Sequence, residues 1–343
     1  PPPADVFIIA VPTPFKDGHQ PDLSHVESAS RAIAPHLAPG NLVILESTSP
    51  VGTTHKVSEW LASERPDLKL PHEHPKDSDI NVAHCPERVL PGRIMTELVE
   101  NDRIMGGIST ACTNKAIELY QKFVRGQCLP TDAATAEMAK LTENAFRDVN
   151  IAFANELSVL ADRQGVNVWE LIRLANHHPR VNILSPGPGV GGHCIAVDPW
   201  FLVDAAPEQA NLIRTAREVN DGKPEVVIEK VKQSLKGIDN PTIACLGLAF
   251  KANVDDLRES PALDICHSLA AIKGASIAAV EPHISELPEI LRAFPNVSLT
   301  VPEAAIRAAD VIVLLVDHQQ FRDVPSLFDL SNLKVIDTRG QWQ

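Results

Sequence analysis

The chain has 343 residues, of which 44% are hydrophobic and 22% are charged, a balance that is ordinary for a globular protein of two or three domains. Its formal net charge is −13 and it has no long basic run, which argues against nucleic acid as a partner. The sequence contains neither an apolar run of membrane-spanning length nor a signal-peptide pattern. We therefore expect a cytoplasmic protein without a membrane partner.

The cysteines and histidines favour neither disulfides nor a metal site. The six cysteines are scattered and form no CxxC pair, which is typical of reduced thiols in the cytosol. Neither His72 with His74 nor His177 with His178 has the i,i+4 spacing of a ligand pair on a helix. We predict no metal site.

Apolar runs alternate with helical patterns at both ends of the chain. Strands are predicted at residues 6–11, 42–45, 80–83, 103–105, 242–248, 275–280, 311–316 and 334–337. Helices are predicted at residues 23–37, 113–124, 168–175, 210–219 and 225–235, with a hinge at 222–224. Pro261 suits the first turn of another helix, and the polar stretch 66–79 suits a surface loop. This alternation predicts parallel sheets with helices on their faces.

Between the two sheets, a helical pattern runs from Asp132, a suitable N-cap, to Gly165, a suitable end. A helix of roughly 30 residues is about 45 Å long and commonly joins domains or forms a dimer interface. Its apolar face is wide, comprising Met138, Leu141, Ala145, Phe146, Val149, Ala152, Phe153, Leu157 and Leu160. The fold class is therefore α/β, with two Rossmann-like doubly wound parallel-sheet domains joined by a long central helix.

Lys140, Asn144 and Arg147 lie at i, i+4 and i+7 on this helix and share one face. A solvated stripe of charge is the usual explanation for such a pattern. The asparagine between two cations suits an anion or a sugar hydroxyl instead.

The most unusual stretch is PGPGVGGHCIAVDPW, at residues 186–200. Glycine allows a close approach of the backbone and proline fixes φ, so this loop can meet a ligand and then present the Cys194 thiol. A surface turn followed by a buried cysteine is the alternative. The hydroxyl-rich loops 12–14 and 46–54 also follow predicted strands, where ligands bind in parallel sheets, although serine and threonine there could simply cap helices.

Taken together, the motifs resemble the UDP-glucose/UDP-mannuronate dehydrogenase family over nearly the whole chain. The matching stretches are residues 11–14, 47–54, 85–89, 140–144, 186–199 and 247–261. The resemblance implies two NAD⁺-dependent oxidations of a UDP-sugar at C6. The long apolar helix separately predicts a homodimer formed through it. The resemblance is greatest to the members that act on UDP-N-acetyl-D-mannosamine for bacterial surface polysaccharides. The implied domains are an NAD-binding remainder (1–130), a central helical domain (131–223) and a UDP-sugar-binding domain (224–343).

The resemblance also assigns roles to individual residues. Cys194 is implied as the nucleophile that carries a thiohemiacetal and then a thioester, and Lys140 as the group that handles the proton or the oxyanion at C6. Asn144 and Asp198 are implied to hold the water and the lysine, and Glu87 to promote hydrolysis. The implied substrate contacts are Arg88, Val89, Lys140, Asn144, Arg147, His178, Arg180, Gly191, Phe250, Lys251 and Arg339. The implied cofactor contacts are Thr13, Thr54 and Arg258.

The chain departs from the family pattern at its start. No GxGxxG loop, the usual cradle of the NAD pyrophosphate, occurs in the sequence, and residues 186–192 are no substitute because they precede a cysteine. About seventy residues of the family pattern are missing, so we expect an exposed edge on the first sheet. UDP-glucose or UDP-GlcNAc oxidation, nucleotide-sugar binding without catalysis, and a cysteine hydrolase using a histidine are the alternative functions.

Overall fold

The computed structural model describes residues 4–89, 94–192 and 194–342, apart from the side chain of Asp17. His193, within the glycine-rich stretch, lies outside the described residues. The chain forms two compact units. Unit 1 comprises Pro1–Ala145 and Val197–Asn211, and unit 2 comprises Phe146–Ala196 and Leu212–Gln343.

The strands follow the predicted apolar runs closely, with several short additions. They are β1 (Val6–Ile9), β2 (Phe15–Lys16), β3 (Gln20–Pro21), β4 (Leu42–Leu45), β5 (Asn81–His84), β6 (Arg103–Gly107), β7 (Cys128–Asp132), β8 (Thr242–Leu246), β9 (Ser276–Val280), β10 (Val297–Leu299), β11 (Val311–Leu314) and β12 (Lys334–Asp337). The bounds predicted for β4 and β12 are confirmed. The sequence prediction missed β2, β3, β7 and β10, which are at most five residues long.

The helices include the predicted long one. They are α1 (Ser24–Ile33), α2 (Thr53–Glu64), α3 (Ile94–Glu100), α4 (Thr110–Tyr120), α5 (Ala133–Gln164), α6 (Val168–Ala175), α7 (Asp198–Ala205), α8 (Asn211–Ser234), α9 (Pro261–Ala270), α10 (Glu289–Arg292), α11 (Pro302–Ala308) and α12 (Val324–Leu327). Short 3₁₀ turns occupy Asp17–His19, Ala34–His36 and Gln319–Phe321. None of the described helices is long and apolar enough to span a membrane.

Each unit contains a five-stranded sheet. The order is β1-β4-β5-β6-β7 in unit 1 and β10-β9-β8-β11-β12 in unit 2, and the second sheet is parallel throughout. In the first sheet β5 and β6 are antiparallel, so the prediction of an entirely parallel sheet is wrong for this pair. Antiparallel neighbours need no crossover, because the second strand starts at the edge where the first one ends. As expected, β1 is an edge strand, and Ile8 on it is 52% exposed.

Strand β4 shows why the first sheet has helices on both faces. All four of its residues are buried, which requires apolar cover on each side. Val43 and Leu45 belong to a core cluster with Leu61 of α2, whereas Ile44 belongs to another cluster with Tyr120 of α4. A continuous apolar run without alternation is the sequence signature of such a strand.

Helix α5 begins and ends as predicted. The Asp132 carboxylate accepts hydrogen bonds from the N–H (2.9 Å) and the hydroxyl (2.6 Å) of Thr135, and Gly165 has a left-handed φ of 67°. Its apolar residues do not share one environment, however. Leu141 is fully buried, whereas Phe146 is 69% exposed.

Helix α8 corrects the predicted hinge. It continues from Asn211 to Ser234 with Pro224 inside, although proline removes a helical hydrogen bond. Buried contacts hold the helix on both sides of the proline: Arg217 and Asn220 are each 1% exposed on one side, and Val231 is fully buried on the other. Tertiary packing therefore outweighs the local preference for a break.

A buried hydrogen-bonded network joins α8, α5 and the glycine-rich stretch within unit 2. The Arg217 guanidinium donates to the Asp148 carboxylate at 2.6 Å, and the Asn220 amide donates to the same carboxylate at 2.8 Å. Asn155 donates to Asn220 at 2.9 Å and accepts the N–H of Gly187 at 2.8 Å. Because a buried polar group left without its partner is costly, each bond constrains the next along the network.

Candidate active site

Three of the predicted substrate contacts come together at the carboxyl edge of the unit 2 sheet. Phe250 and Lys251, just after β8, and Arg339, just after β12, line a cavity of about 230 Å³. The Arg339 guanidinium is held by Asp317, with Nε 2.8 Å from Oδ1. Ligands bind beyond the carboxyl ends of parallel strands, so the position fits a binding site.

The glycine-rich stretch closes against this cavity, and Pro188 and Gly189 line it. A Cβ atom on Gly191 would lie 2.3 Å from the Glu259 carbonyl oxygen and 2.7 Å from Pro261 Cδ. A Cβ atom on Gly187 would lie 2.5 Å from an Arg339 guanidinium nitrogen. At Gly191 the Cβ would meet the backbone, so close packing requires glycine there, whereas at Gly187 it would meet the end of the flexible Arg339 side chain, which can move.

The loop that carries Phe250 and Lys251 rests on a buried acid that the sequence analysis missed. The Glu281 carboxylate accepts the N–H groups of Leu248 (2.8 Å) and Ala249 (3.0 Å) and a hydrogen bond from His318 Nε2 (3.0 Å). Burial tends to raise the pKa of Glu281, but these bonds outweigh burial and hold that pKa below its ordinary value. The sequence signal that could have identified Glu281 is its position directly after the buried strand β9.

Glu281, His283 and His318 also form a group whose side-chain atoms lie within 4.8 Å of one another. His318 Nδ1 accepts the N–H of Asn253 at 2.9 Å while its Nε2 donates to Glu281, so both ring nitrogens are engaged. A metal ion would have to displace one of these bonds. The geometry fits a support for the loop better than a metal site.

The Cys194 side chain is exposed, so the alternative of a buried structural cysteine is wrong. Arg258, a predicted cofactor contact, lies within electrostatic range of it. Two hydrogen bonds to Asp256, at 2.9 and 2.6 Å, hold the guanidinium. Asp256, followed by a smaller contribution from Cys194, raises the pKa of Arg258. A cation near an exposed thiol favours the thiolate, which is the reactive form.

Unit 1 brings together three of the predicted catalytic residues. Lys140 and Asn144 on α5 and Asp198 at the start of α7 are each less than 10% exposed. Asn144 Nδ2 donates to Asp198 Oδ2 at 2.5 Å. Burial raises the pKa of Asp198 to about 6, although the Asn144 bond and the Lys140 charge oppose the rise. Burial, with a contribution from Lys140, also lowers the pKa of His84 to about 4, so His84 stays neutral.

The remaining predicted contacts of unit 1 are held by neighbouring groups. Arg88 forms an ion pair with Glu143 at 2.7 Å, and the Glu87 carboxylate accepts the N–H of Val89. Thr54 is buried, and its N–H and hydroxyl both donate to Glu137, at 2.7 and 2.5 Å.

Glu137 was missed by the sequence analysis. Its carboxylate also accepts the N–H of Gly52, at 2.6 Å, and therefore caps the N-terminus of α2.

Arg147, His178 and Arg180, predicted substrate contacts of unit 2, are exposed. The N–H of Arg180 donates to His178 Nδ1 at 3.3 Å, which links the two in one turn.

Two loops at the carboxyl edge of the first sheet fit an NAD site. Thr13, after β1, donates its hydroxyl to the Thr48 carbonyl, after β4, at 2.6 Å. The Ser47 hydroxyl accepts the N–H of Val11 and donates to its carbonyl, both at 2.7 Å. Hydroxyl and backbone groups thus converge where dinucleotides bind in such sheets.

Comparison with known proteins identifies the family of the chain. Residues 2–124, 134–222 and 244–343 match the NAD-binding, central and UDP-binding domains of the UDP-glucose/GDP-mannose dehydrogenase family. The chain belongs to this family. It is accordingly an NAD-dependent UDP-sugar dehydrogenase.

Two curated relatives are highly similar along the chain. An NDP-N-acetyl-D-galactosaminuronic acid dehydrogenase from Ralstonia nicotianae is 63% identical over 100% of this chain and 80% of its own length. A UDP-N-acetyl-D-mannosamine dehydrogenase from Campylobacter jejuni is 60% identical over 94% of this chain and 80% of its own. Among solved structures, a UDP-D-ManNAc dehydrogenase from Pyrococcus horikoshii is 41% identical with a TM-score of 0.86, over 99% of this chain and 78% of that one.

The raised pKa of Asp198 predicts a pH dependence of stability. Its folded-state pKa of about 6 lies above the ordinary 3.8, so folding favours the protonated form. The free energy of unfolding contributed by this group is highest below pH 4 and falls, by up to about 3 kcal/mol, as the pH rises to 6. We expect Asp198→Asn to remove this fall, measured as urea unfolding at pH 4.5 and pH 7. Asp204→Asn, an exposed change on the same helix, should keep it. Identical pH profiles for Asp198→Asn and the wild type would contradict the assignment.

Proposed function

We propose that the protein oxidises UDP-N-acetyl-D-mannosamine at C6 to UDP-N-acetyl-D-mannosaminuronate, a precursor of bacterial surface polysaccharides. The observation that carries this proposal is the likeness to the Campylobacter jejuni enzyme, 60% identical over 94% of the chain. The cavity formed by Phe250, Lys251 and Arg339 supports a nucleotide-sugar substrate. Arginine and lysine there supply the donors that a diphosphate needs.

In the proposed chemistry, the exposed Cys194 thiol is the nucleophile that forms a covalent intermediate with the substrate. NAD⁺, when bound, accepts the hydride in both oxidations. Loss of a hydride and a proton from the C6 alcohol gives an aldehyde, and the Cys194 thiolate adds to it to form a C–S bond. Oxidation of this thiohemiacetal gives a thioester. Water then cleaves the C–S bond, which releases the carboxylate and restores the thiol.

The buried cluster of unit 1 is proposed to handle the protons. The Lys140 ammonium stabilises the negative charge that develops on the C6 oxygen. Asn144 orients the Asp198 carboxylate, whose pKa of about 6 suits proton exchange near neutral pH. Glu87 is proposed to activate the water that cleaves the thioester. Thr13, Thr54 and Arg258 are proposed to contact NAD.

A second candidate substrate is the galacto-configured sugar, UDP-N-acetyl-D-galactosamine. The specific observation in its favour is the Ralstonia nicotianae relative, which is 63% identical over the whole chain. The two sugars share the UDP group and the C6 alcohol, so the chemistry proposed for Cys194 applies to both.

The experiment that tests both candidates is a substrate comparison. We expect UDP-N-acetyl-D-mannosamine with NAD⁺ to yield two NADH per sugar, measured at 340 nm, and to react with the highest kcat/KM of the four sugars tested. The others are UDP-N-acetyl-D-galactosamine, UDP-GlcNAc and UDP-glucose. Preference for the galacto sugar would select the second candidate, and absence of NADH with all four would contradict the proposed activity.

A substitution at Cys194 tests the covalent step. Cys194→Ser should lower kcat by at least about 10³-fold, because an alcohol at this position is a much weaker nucleophile than a thiolate. Cys128→Ser, at a half-buried cysteine of unit 1, is the matched control and should keep full turnover. Equal activity of Cys194→Ser and the wild type would remove the covalent mechanism.

We further propose a homodimer formed through α5. Phe146, Phe153 and Leu160 are spaced by seven residues and are 69%, 53% and 49% exposed. This spacing puts them on one helix face, and large apolar side chains so exposed commonly mark an interface. The proposed domain division at residues 130 and 223 leaves this face in the central domain. We propose a cytoplasmic location because Cys194 must stay reduced.

The dimer proposal predicts a mass in solution of twice that of the chain, measured by light scattering. Phe153→Glu should shift the protein to the monomer, because it places a charge in the apolar interface. Val301→Glu, at an exposed residue of unit 2 outside this face, should not. A monomeric wild type would contradict the proposal.

A further inference from the structure

The cavity of about 230 Å³ lined by Phe250, Lys251 and Arg339 is called the nucleotide cavity below. Unit 2 contains a second cavity, of about 630 Å³, that shares no lining residue with it. The second cavity lies among the C-terminal half of α5, the start of α6, α8 and β12. Its volume is within the range of small-molecule sites. The proposed dehydrogenase chemistry does not use it.

The walls of this cavity combine apolar and polar surface in nearly equal parts. The apolar part includes Val166, Val226, Val227, Leu330, Val335 and Ile336, with Trp169 and Trp342. An apolar wall favours a ligand with a hydrocarbon or aromatic body over an inorganic ion.

The charged groups that face this cavity are Asp162, Lys223, Lys230 and Asp337. Asp162 forms an ion pair with Lys230 at 2.7 Å. The Asp337 carboxylate accepts backbone N–H groups at positions 339 (2.9 Å), 340 (2.7 Å) and 342 (2.9 Å). Both carboxylates are therefore already satisfied by other groups.

Lys223 differs from Lys230, the other cation that faces this cavity. It is only 8% exposed, and its ammonium donates to the Ser158 hydroxyl, a neutral partner. Within the described part of the chain, no carboxylate forms an ion pair with it. Burial lowers the pKa of Lys223 to about 8, with Lys230 lowering it further and Asp162 opposing. A buried cation without an ion-pair partner in contact is costly, and an anion that reaches it would recover part of that cost.

We propose that this cavity binds a small amphipathic carboxylate, with the carboxylate paired to Lys223 and the apolar body against the valine, leucine and isoleucine wall. Pro186 and Gly187 line this cavity, whereas Pro188 and Gly189 line the nucleotide cavity. The ligand would therefore touch the same loop that leads to Cys194.

The probe for this site is 4-phenylbutyrate, which has one carboxylate on an apolar body, and its uncharged control is 4-phenylbutanamide. Binding is measured by calorimetry and by the fluorescence of Trp169 and Trp342. We expect the carboxylate to bind at least about tenfold more tightly than the amide, as a charge-assisted hydrogen bond implies. Equal binding of the two, or no binding of the carboxylate, overturns the proposal.

The decisive variant is Lys223→Met, which should weaken 4-phenylbutyrate at least about tenfold while leaving the thermal unfolding midpoint unchanged or raised. Lys232→Met, the same change at an exposed residue of α8 outside the cavity, should bind as the wild type does. Full binding by Lys223→Met overturns the proposal.

The pH dependence of binding tests the proposal on the wild-type protein, without any variant. The affinity for 4-phenylbutyrate should fall as the pH rises from 7 to 9, since Lys223 loses its proton near pH 8. The other charged groups that face the cavity are Asp162, Lys230 and Asp337. Affinity that is constant from pH 7 to 9 overturns the proposal.

Discussion

The buried carboxylate of Asp148 is the constraint on which the organisation of unit 2 depends. It receives the Arg217 guanidinium and the Asn220 amide, and through Asn220 it fixes Asn155. Asn155 in turn accepts the N–H of Gly187. All four of these side chains are buried, so the start of the glycine-rich stretch is held in one place relative to α5 and α8. Together with the buried Val231 beyond the proline, these contacts keep α8 continuous through Pro224.

The same principle operates at the sites themselves. Glu281 holds the loop that carries Phe250 and Lys251 by accepting two backbone N–H groups and the His318 imidazole. In unit 1, Glu137 holds the N-terminus of α2. Buried carboxylates that accept backbone N–H groups thus fix the loop that carries Phe250 and Lys251 and the start of α2.

The fold was predictable where one local signal dominates. The apolar run of β4 and the capping pattern around Asp132 gave correct bounds, because burial on both faces and helix capping act over a few residues. The hinge at Pro224 was wrong because tertiary contacts made elsewhere on α8 override a local preference. The direction of β6 relative to β5 was also missed, since apolar runs carry no information about strand direction.

The sequence predicted which residues form the candidate site better than it predicted their burial, pKa values and hydrogen-bond partners. The resemblance named Lys140, Asn144 and Asp198, and the structure adds that they are buried together and that burial shifts the pKa of Asp198. Glu137 and Glu281 were missed because their partners are distant in sequence, and an isolated acid near a strand or helix end looks like a surface residue.

The most direct test of this account removes one link of the buried network. Asn155→Leu should leave a folded protein with a single thermal transition, but turnover of the preferred UDP-sugar should fall about 10²-fold, because the loop that leads to Cys194 loses its anchor. Asn150→Leu, on the same helix, removes only a bond to the helix's own Phe146 carbonyl and should turn over normally. A folded Asn155→Leu protein with wild-type turnover would contradict the central claim that this network positions the loop.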